Sequence, residues 1–163
     1  MSPSEQGSSD GGARNPQERS AARLAAVQAL YQMDLVETDL NAVIREFVMH
    51  RFGSETEQDQ GLAAADAAFF SELLQGVLRR QRDIDPMLDS QLAKGWRLIR
   101  IDSILRAILR AGVFELMERG DVPARVVLNE YIEVANAFFE GDEPKVVNGV
   151  LDKLAHRLRP AEF

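Results

Sequence analysis

Arg19 and Arg23 stand four residues apart, so on a helix they share a face and present two guanidinium groups together. Arg14 lies just ahead of them. Near the other end, Lys145, His156 and Arg159 are predicted on one face of a helix. In between, Lys94, Arg97, Arg100, Arg106 and Arg110 gather with only Asp102 opposing. Cations at such spacing are suited to phosphate oxygens. A flexible basic tail leading into an arginine-bearing helix start can hold single-stranded RNA, provided aromatic or amide groups stand by to read bases. Gln28, Tyr31 and Asn148 are candidates for that task, although Tyr31 also fits a core stripe. Each basic group taken alone reads more plainly as a solvated helix face.

Catalytic chemistry has little to stand on. The chain has no cysteine, which excludes thiolate nucleophiles, disulfides and thiolate metal sites. No phosphate-cradling glycine loop and no nucleophile elbow occur. The two histidines, His50 and His156, belong to no metal-binding pattern and are expected on the surface. The carboxylate pairs Asp83/Asp85 and Asp142/Glu143 sit where helices begin or end, so capping explains them. No enzyme activity, cofactor or metal is expected.

With 163 residues, 45% of them hydrophobic, the chain can bury a core. Its net charge of −7 argues against a protein that coats nucleic acid without selectivity. It leaves acidic surface for a basic protein partner. No apolar run approaches the roughly 20 residues of a membrane span. The N-terminus lacks a signal-peptide layout. A soluble, cytoplasmic protein is expected.

These side chains need helices to place them. Met1–Arg14 reads as a disordered tail, and residues 15–163 as a single domain. Asn15-Pro16-Gln17-Glu18 is a helix start, and the helix is predicted to reach about Val36. Leu24, Val27, Tyr31 and Leu35 form its apolar stripe. Further helices are predicted over Leu40–Arg51 and Leu62–Arg82. The second of these is expected to stop at Asp83-Ile84-Asp85-Pro86, with a short helix Pro86–Leu92 after it. Phe52–Gln60 reads as a polar loop, and Gly95 as a break. Ile101–Glu118 and Ala124–Phe138 have wide apolar stripes. In the last segment, Asn148-Gly149 suits a hairpin turn. Val146, Val147, Val150, Leu151, Leu154 and Leu158 nevertheless share one helical face, so a helix is predicted. Gly149 then lies on the outer face. Either it is tolerated there, or something outside the fold comes close. The sum is an all-α bundle of six to seven helices.

The strings ARLAAVQALYQMDL, ILRAGVFELMERGDVPARVVLNEYIEVAN and VVNGVLDKLAHRLRP resemble, in that order, the NusB family of bacterial transcription antitermination proteins. The resemblance covers about Arg19 to Pro160. It implies two small helical subdomains packed across each other. It also implies binding of boxA RNA together with a small-subunit ribosomal protein, NusE, and indirect engagement of other Nus factors and RNA polymerase. Neither catalysis nor a cofactor is implied, and some members form homodimers. The RNA contacts so implied are Arg19 and Arg23 at the N-terminal end, and Asp142, Lys145, Val146 and Asn148 at the start of the last helix. Tyr31 and Leu35 are the implied partner surface. The chain departs from better-known members at Ser20 and Ala21, where they carry arginines. It departs again at Val146, where an aromatic is common, and at Leu105, where others can present an acid to the partner. RNA binding by the chain alone is therefore expected to be weak and partner-dependent. Two alternatives remain: an RNA-binding fragment of a ribosomal RNA cytosine methyltransferase, and a homodimeric scaffold without an RNA role.

Overall fold

Six α-helices and no strand follow one another along residues 16–35, 39–52, 66–93 and 97–163, which are those the computed structural model describes. The expected tail, the Asn15 cap, the loop after Phe52 and the Gly95 break lie outside the described residues.

Helix α1 spans Pro16–Leu35. Its inward face is not the predicted one. Ala22, Ala25, Ala26 and Ala29 are fully buried beside Val27 and Leu30, whereas Tyr31 is half-buried and Leu35 is 62% exposed. Alanines add little to a hydrophobic pattern, yet their small size lets neighbouring helices approach closely.

Helix α2, Leu40–Glu46, is capped by Asp39, whose carboxylate accepts from the Ala42 N–H. It continues as a π turn, Phe47–Arg51, so the predicted end at Arg51 is reached by a change of hydrogen-bond register. Phe47, Phe52 and Phe70 cluster there, with ring centroids 5.0 to 6.3 Å apart.

Helix α3 runs from Ala67 to Gln91 without a break at Pro86. The predicted stop is thus corrected. A proline inside a helix costs about 3 kcal/mol. Ile84 and Leu88 flank it and are both fully buried, which returns roughly 1.5–3 kcal/mol each. Arg110 also grips the Asp85 carboxylate with two hydrogen bonds of 2.9 Å.

A 3₁₀ turn, Leu98–Arg100, leads into α4, Ser103–Glu118. Asp102 caps α4 by accepting from the Ile104 and Leu105 N–H groups. Helix α4 is the centre of the fold: residues 111–116 are all buried, as expected of a helix surrounded by others. It packs against α1, α3, α5 (Ala124–Phe138) and α6 (Glu143–Leu158). Ion pairs set the directions. Arg23 of α1 meets Glu115, and Asp34 of α1 meets Arg106, so α1 and α4 are antiparallel. Gly112 lies under Leu151; a Cβ there would be 2.7 Å from that side chain.

Asn148-Gly149 is helical, inside α6. Gly149 is exposed, and a Cβ on it would meet nothing within 4 Å. No crowding among the described residues calls for glycine there. Arg159 is a further correction. The sequence pattern places it on the outer face with Lys145 and His156, but it is buried. The helix ends at Leu158, so Arg159 leaves the helical pattern and turns inward. It donates to the carbonyls of Leu116, Glu115, Arg119 and Val122. These carbonyls lie at the end of α4 and in the turn after it, and those of Glu115 and Arg119 also accept the backbone N–H groups of Arg119 and Val122.

Candidate nucleic-acid interface

Arg23 is not on the surface, which corrects its grouping with Arg19. Its side chain is 3% exposed, and it grips the fully buried Glu115 carboxylate through Nε at 2.6 Å and Nη2 at 3.0 Å. Its Nη1 donates to Glu130 at 2.9 Å, which also accepts from the Ser20 hydroxyl. Tyr131 completes the network by donating to Glu115 at 2.6 Å. Burial works against the Arg23 charge, but the Glu115 hydrogen bond and charge outweigh it and raise its pKa. Burial, then the Glu115 charge, pushes the Tyr131 hydroxyl well above its usual range. Arg23 is therefore committed to joining α1, α4 and α5.

Arg19, one turn earlier, is half-buried with its guanidinium 5.0 Å from the Phe69 ring centroid. Arg23 and Arg119 flank the same ring. Arg119 is held by Glu72 and Asp121, and its hydrogen bond lowers the Asp121 pKa to about 2. The Arg19 Nε has no hydrogen-bond partner, and no carboxylate among the described residues pairs with this guanidinium. Its charge adds to that of Arg119 in lowering the Asp121 pKa. Arg14 lies outside the described residues.

At the start of α6, Asp142 and Lys145 are exposed, Val146 is half-buried, and Asn148 is exposed one turn on. The Asp142 carboxylate makes no capping bond, and its carbonyl accepts from the Lys145 and Val146 N–H groups instead. Asp142, Glu143 and Val146 line a cleft of about 390 Å³. Arg97, Arg100, Ile101, Asp102 and Leu105 line it as well.

The cation-rich segment is thus divided. Arg106 is pinned to Asp34 at 2.6 Å and to three carbonyls at 3.2 Å. Arg110 is held by Asp85. Lys94 lies outside the described residues. Arg97 and Arg100 are exposed, and no described residue bonds their side chains. Sequence reasoning had them only as two cations among five. Knowing which of the five find carboxylates requires the fold.

A second depression, about 380 Å³, brings together Gln28, Tyr31, Leu35, Ile104 and Phe138. Gln28 therefore sits with the expected partner residues Tyr31 and Leu35, apart from Arg19. Its Oε1 is buried without a hydrogen-bond partner.

The two basic positions are not adjacent. Arg19 stands beside the C-terminal end of α4, near Asp121 and Pro123, whereas the arginine-walled cleft stands at its N-terminal end. The separation along α4 is roughly 20 Å at about 1.5 Å per residue. No group of three or more histidines and carboxylates that could hold a metal occurs among the described residues. None of their helices is long and apolar enough to cross a membrane.

Residues 20–156 match the family model described as the NusB family. The chain is 55% identical over 152 residues to the transcription antitermination protein NusB of Rhodopseudomonas palustris strain BisB18, covering 93% of this chain and 89% of that one. It superposes on a solved structure of T. maritima NusB with a TM-score of 0.73 and 26% identity, over 91% of this chain and 96% of that one. The fold is shared with a crystal structure of antitermination factors NusB and NusE in complex with dsRNA. There the TM-score is 0.68 and the identity 22%, over 85% of this chain and 96% of that one.

Proposed function

The chain belongs to the NusB family, and from that premise we propose that it is a transcription antitermination factor acting in the bacterial cytoplasm by binding rather than catalysis. It binds boxA-type RNA jointly with the ribosomal protein NusE and so helps RNA polymerase read through terminators, ribosomal RNA operons included. The observation that carries this reading is the cleft at the start of α6. Residues that the family resemblance assigns to RNA, Asp142 and Val146, line it together with two exposed arginines, Arg97 and Arg100, whose side chains make no ion pair with a described residue.

In this reading two surfaces divide the work. Arg19, Lys145 and Asn148 contact RNA together with Asp142 and Val146. Arg14 belongs to the same basic segment. Tyr31, Leu35 and Gln28 receive the ribosomal partner. A basic partner on a chain of net charge −7 removes the self-repulsion that an RNA backbone would otherwise meet. Each phosphate that is neutralised steepens the salt dependence by about 0.7 in log–log slope for a single strand.

A titration of fluorescent boxA-containing RNA against the chain, with and without NusE, tests the reading. Tighter binding with the partner present, and preference over a scrambled RNA, is the expected result. Equal affinity for both RNAs with NusE present contradicts it.

A further inference from the structure

Two carboxylates, Asp121 and Glu130, line the same depression of about 200 Å³ as Arg19, between the start of α1 and the start of α5. Each is held by another donor. Glu130 accepts from the Ser20 hydroxyl at 2.5 Å and from Arg23 at 2.9 Å. Asp121 is gripped by Arg119 in a fork: Nε reaches Oδ1 at 2.9 Å and Nη2 reaches Oδ2 at 2.8 Å. The Nη1 of Arg119 donates to Glu72 at 2.6 Å. The Arg119 side chain is 16% exposed, against 57% for Asp121. The arginine is thus largely enclosed, whereas the carboxylate it holds is open to solvent.

Arg19 and Arg119 lie against one ring, with their guanidinium carbons 5.0 and 5.1 Å from the Phe69 centroid. The Arg119 hydrogen bond does most to lower the Asp121 pKa, and the Arg19 charge adds to it. Asp121 therefore feels both guanidinium groups, but only Arg119 bonds it. A two-bonded arginine–carboxylate fork fixes direction as well as supplying energy. Released from Arg119, Asp121 becomes an exposed anion in a turn, with Arg19 as a neighbouring cation. A phosphate approaching Arg19 then has a carboxylate to displace and a further negative charge to pass.

We propose that Arg119 is a positioning residue for the RNA contact at Arg19: its forked grip keeps the Asp121 carboxylate off Arg19, so that the Arg19 guanidinium is presented to an RNA phosphate. This rests on the RNA-binding reading above and deepens it. Arg119 itself does not touch RNA, because three of its donors are spent on Asp121 and Glu72. Its influence passes through Asp121, an acidic residue whose neutralisation the RNA site requires.

The test uses the full chain with NusE and a fluorescent boxA-containing RNA, at a temperature where circular dichroism shows every variant folded. Arg119→Met keeps an apolar stem beside Phe69 and releases Asp121. It is expected to weaken binding by about fivefold, the equivalent of one exposed ion pair. The log–log salt slope should fall by up to about 0.7, one phosphate contact. Loss of a positive charge alone could weaken binding too, so two double variants separate the causes. Arg119→Met/Asp121→Asn and Arg119→Met/Glu72→Gln both keep the net charge of the unaltered chain, but only the second leaves Asp121 a carboxylate. The first is expected to restore affinity and slope, and the second is not. Recovery in both doubles, or in neither, overturns the proposal. Full affinity in Arg119→Met, while Arg19→Ala weakens binding, overturns it as well and spares the RNA reading. Absence of boxA selectivity in the unaltered complex overturns both.

Discussion

Replacing Arg23 by alanine is expected to cost the protein stability while leaving the RNA contacts of its folded form in place. The guanidinium gives two hydrogen bonds to Glu115 and one to Glu130. Without it, the fully buried Glu115 carboxylate keeps only the Tyr131 hydroxyl as a side-chain donor among the described residues. Stranding one member of a buried ion pair costs about 3–5 kcal/mol. Domains of this size are stable by roughly 5–15 kcal/mol in total. At about 2–4 °C per kcal/mol, the melting temperature should fall by roughly 6–20 °C. Thermal unfolding followed by circular dichroism measures this directly. The double variant Arg23→Met/Glu115→Leu removes both charges and should recover most of the loss, because apolar replacements of a whole buried pair are often neutral. RNA titration at a temperature where Arg23→Ala is folded should show nearly the affinity of the unaltered chain. A loss below about 1 kcal/mol combined with weakened RNA binding would refute the buried network and return Arg23 to the RNA surface.

Gly149→Ala should stabilise the protein by about 1 kcal/mol in urea unfolding, since a Cβ there meets nothing within 4 Å; weaker RNA binding by the same variant would show that RNA packs on that face. Pro86→Ala should also raise the urea midpoint, because Pro86 lies inside α3 and denies it one hydrogen bond; an unchanged midpoint would mean the helix is interrupted there. Arg159→Ala should cost at least about 2 kcal/mol, through loss of charge-assisted bonds to the end of α4, and thermal unfolding would read it. The Asp121 carboxyl has its pKa lowered from 3.8 to about 2 by Arg119, so its contribution is present above pH 3.8 and lost as the pH falls toward 2. Asp121→Asn should therefore flatten the acid side of the stability profile in that window, and a profile of unchanged slope would contradict the pairing.

The last three helices were legible because turn residues mark their ends. Gly120–Pro123, Gly141–Pro144 and Pro160 stand where α4, α5 and α6 begin or stop. Pro86 misled for a physical reason: a local backbone rule was outweighed by burial of Ile84 and Leu88, which only the packed fold reveals. The alanine face of α1 was invisible to a pattern that weights large side chains. Charge was the least legible property. Arg19 and Arg23 look alike in sequence, yet the partner that internalises Arg23 is 92 residues away. Arg159 continues the sequence pattern of a helix that stops one residue before it. Arg97 and Arg100 gained their meaning by elimination, once Arg106 and Arg110 were seen to be occupied.

Transcription in vitro from a template with boxA upstream of a terminator tests the central claim most directly. RNA polymerase, the other Nus factors and NusE are held constant, and the chain is added or withheld. Read-through should rise when the chain is added, and should fall back when boxA is scrambled or when Arg19 and Lys145 are both replaced by alanine. Read-through that is the same with and without the chain, or equal on the scrambled template, would contradict the account.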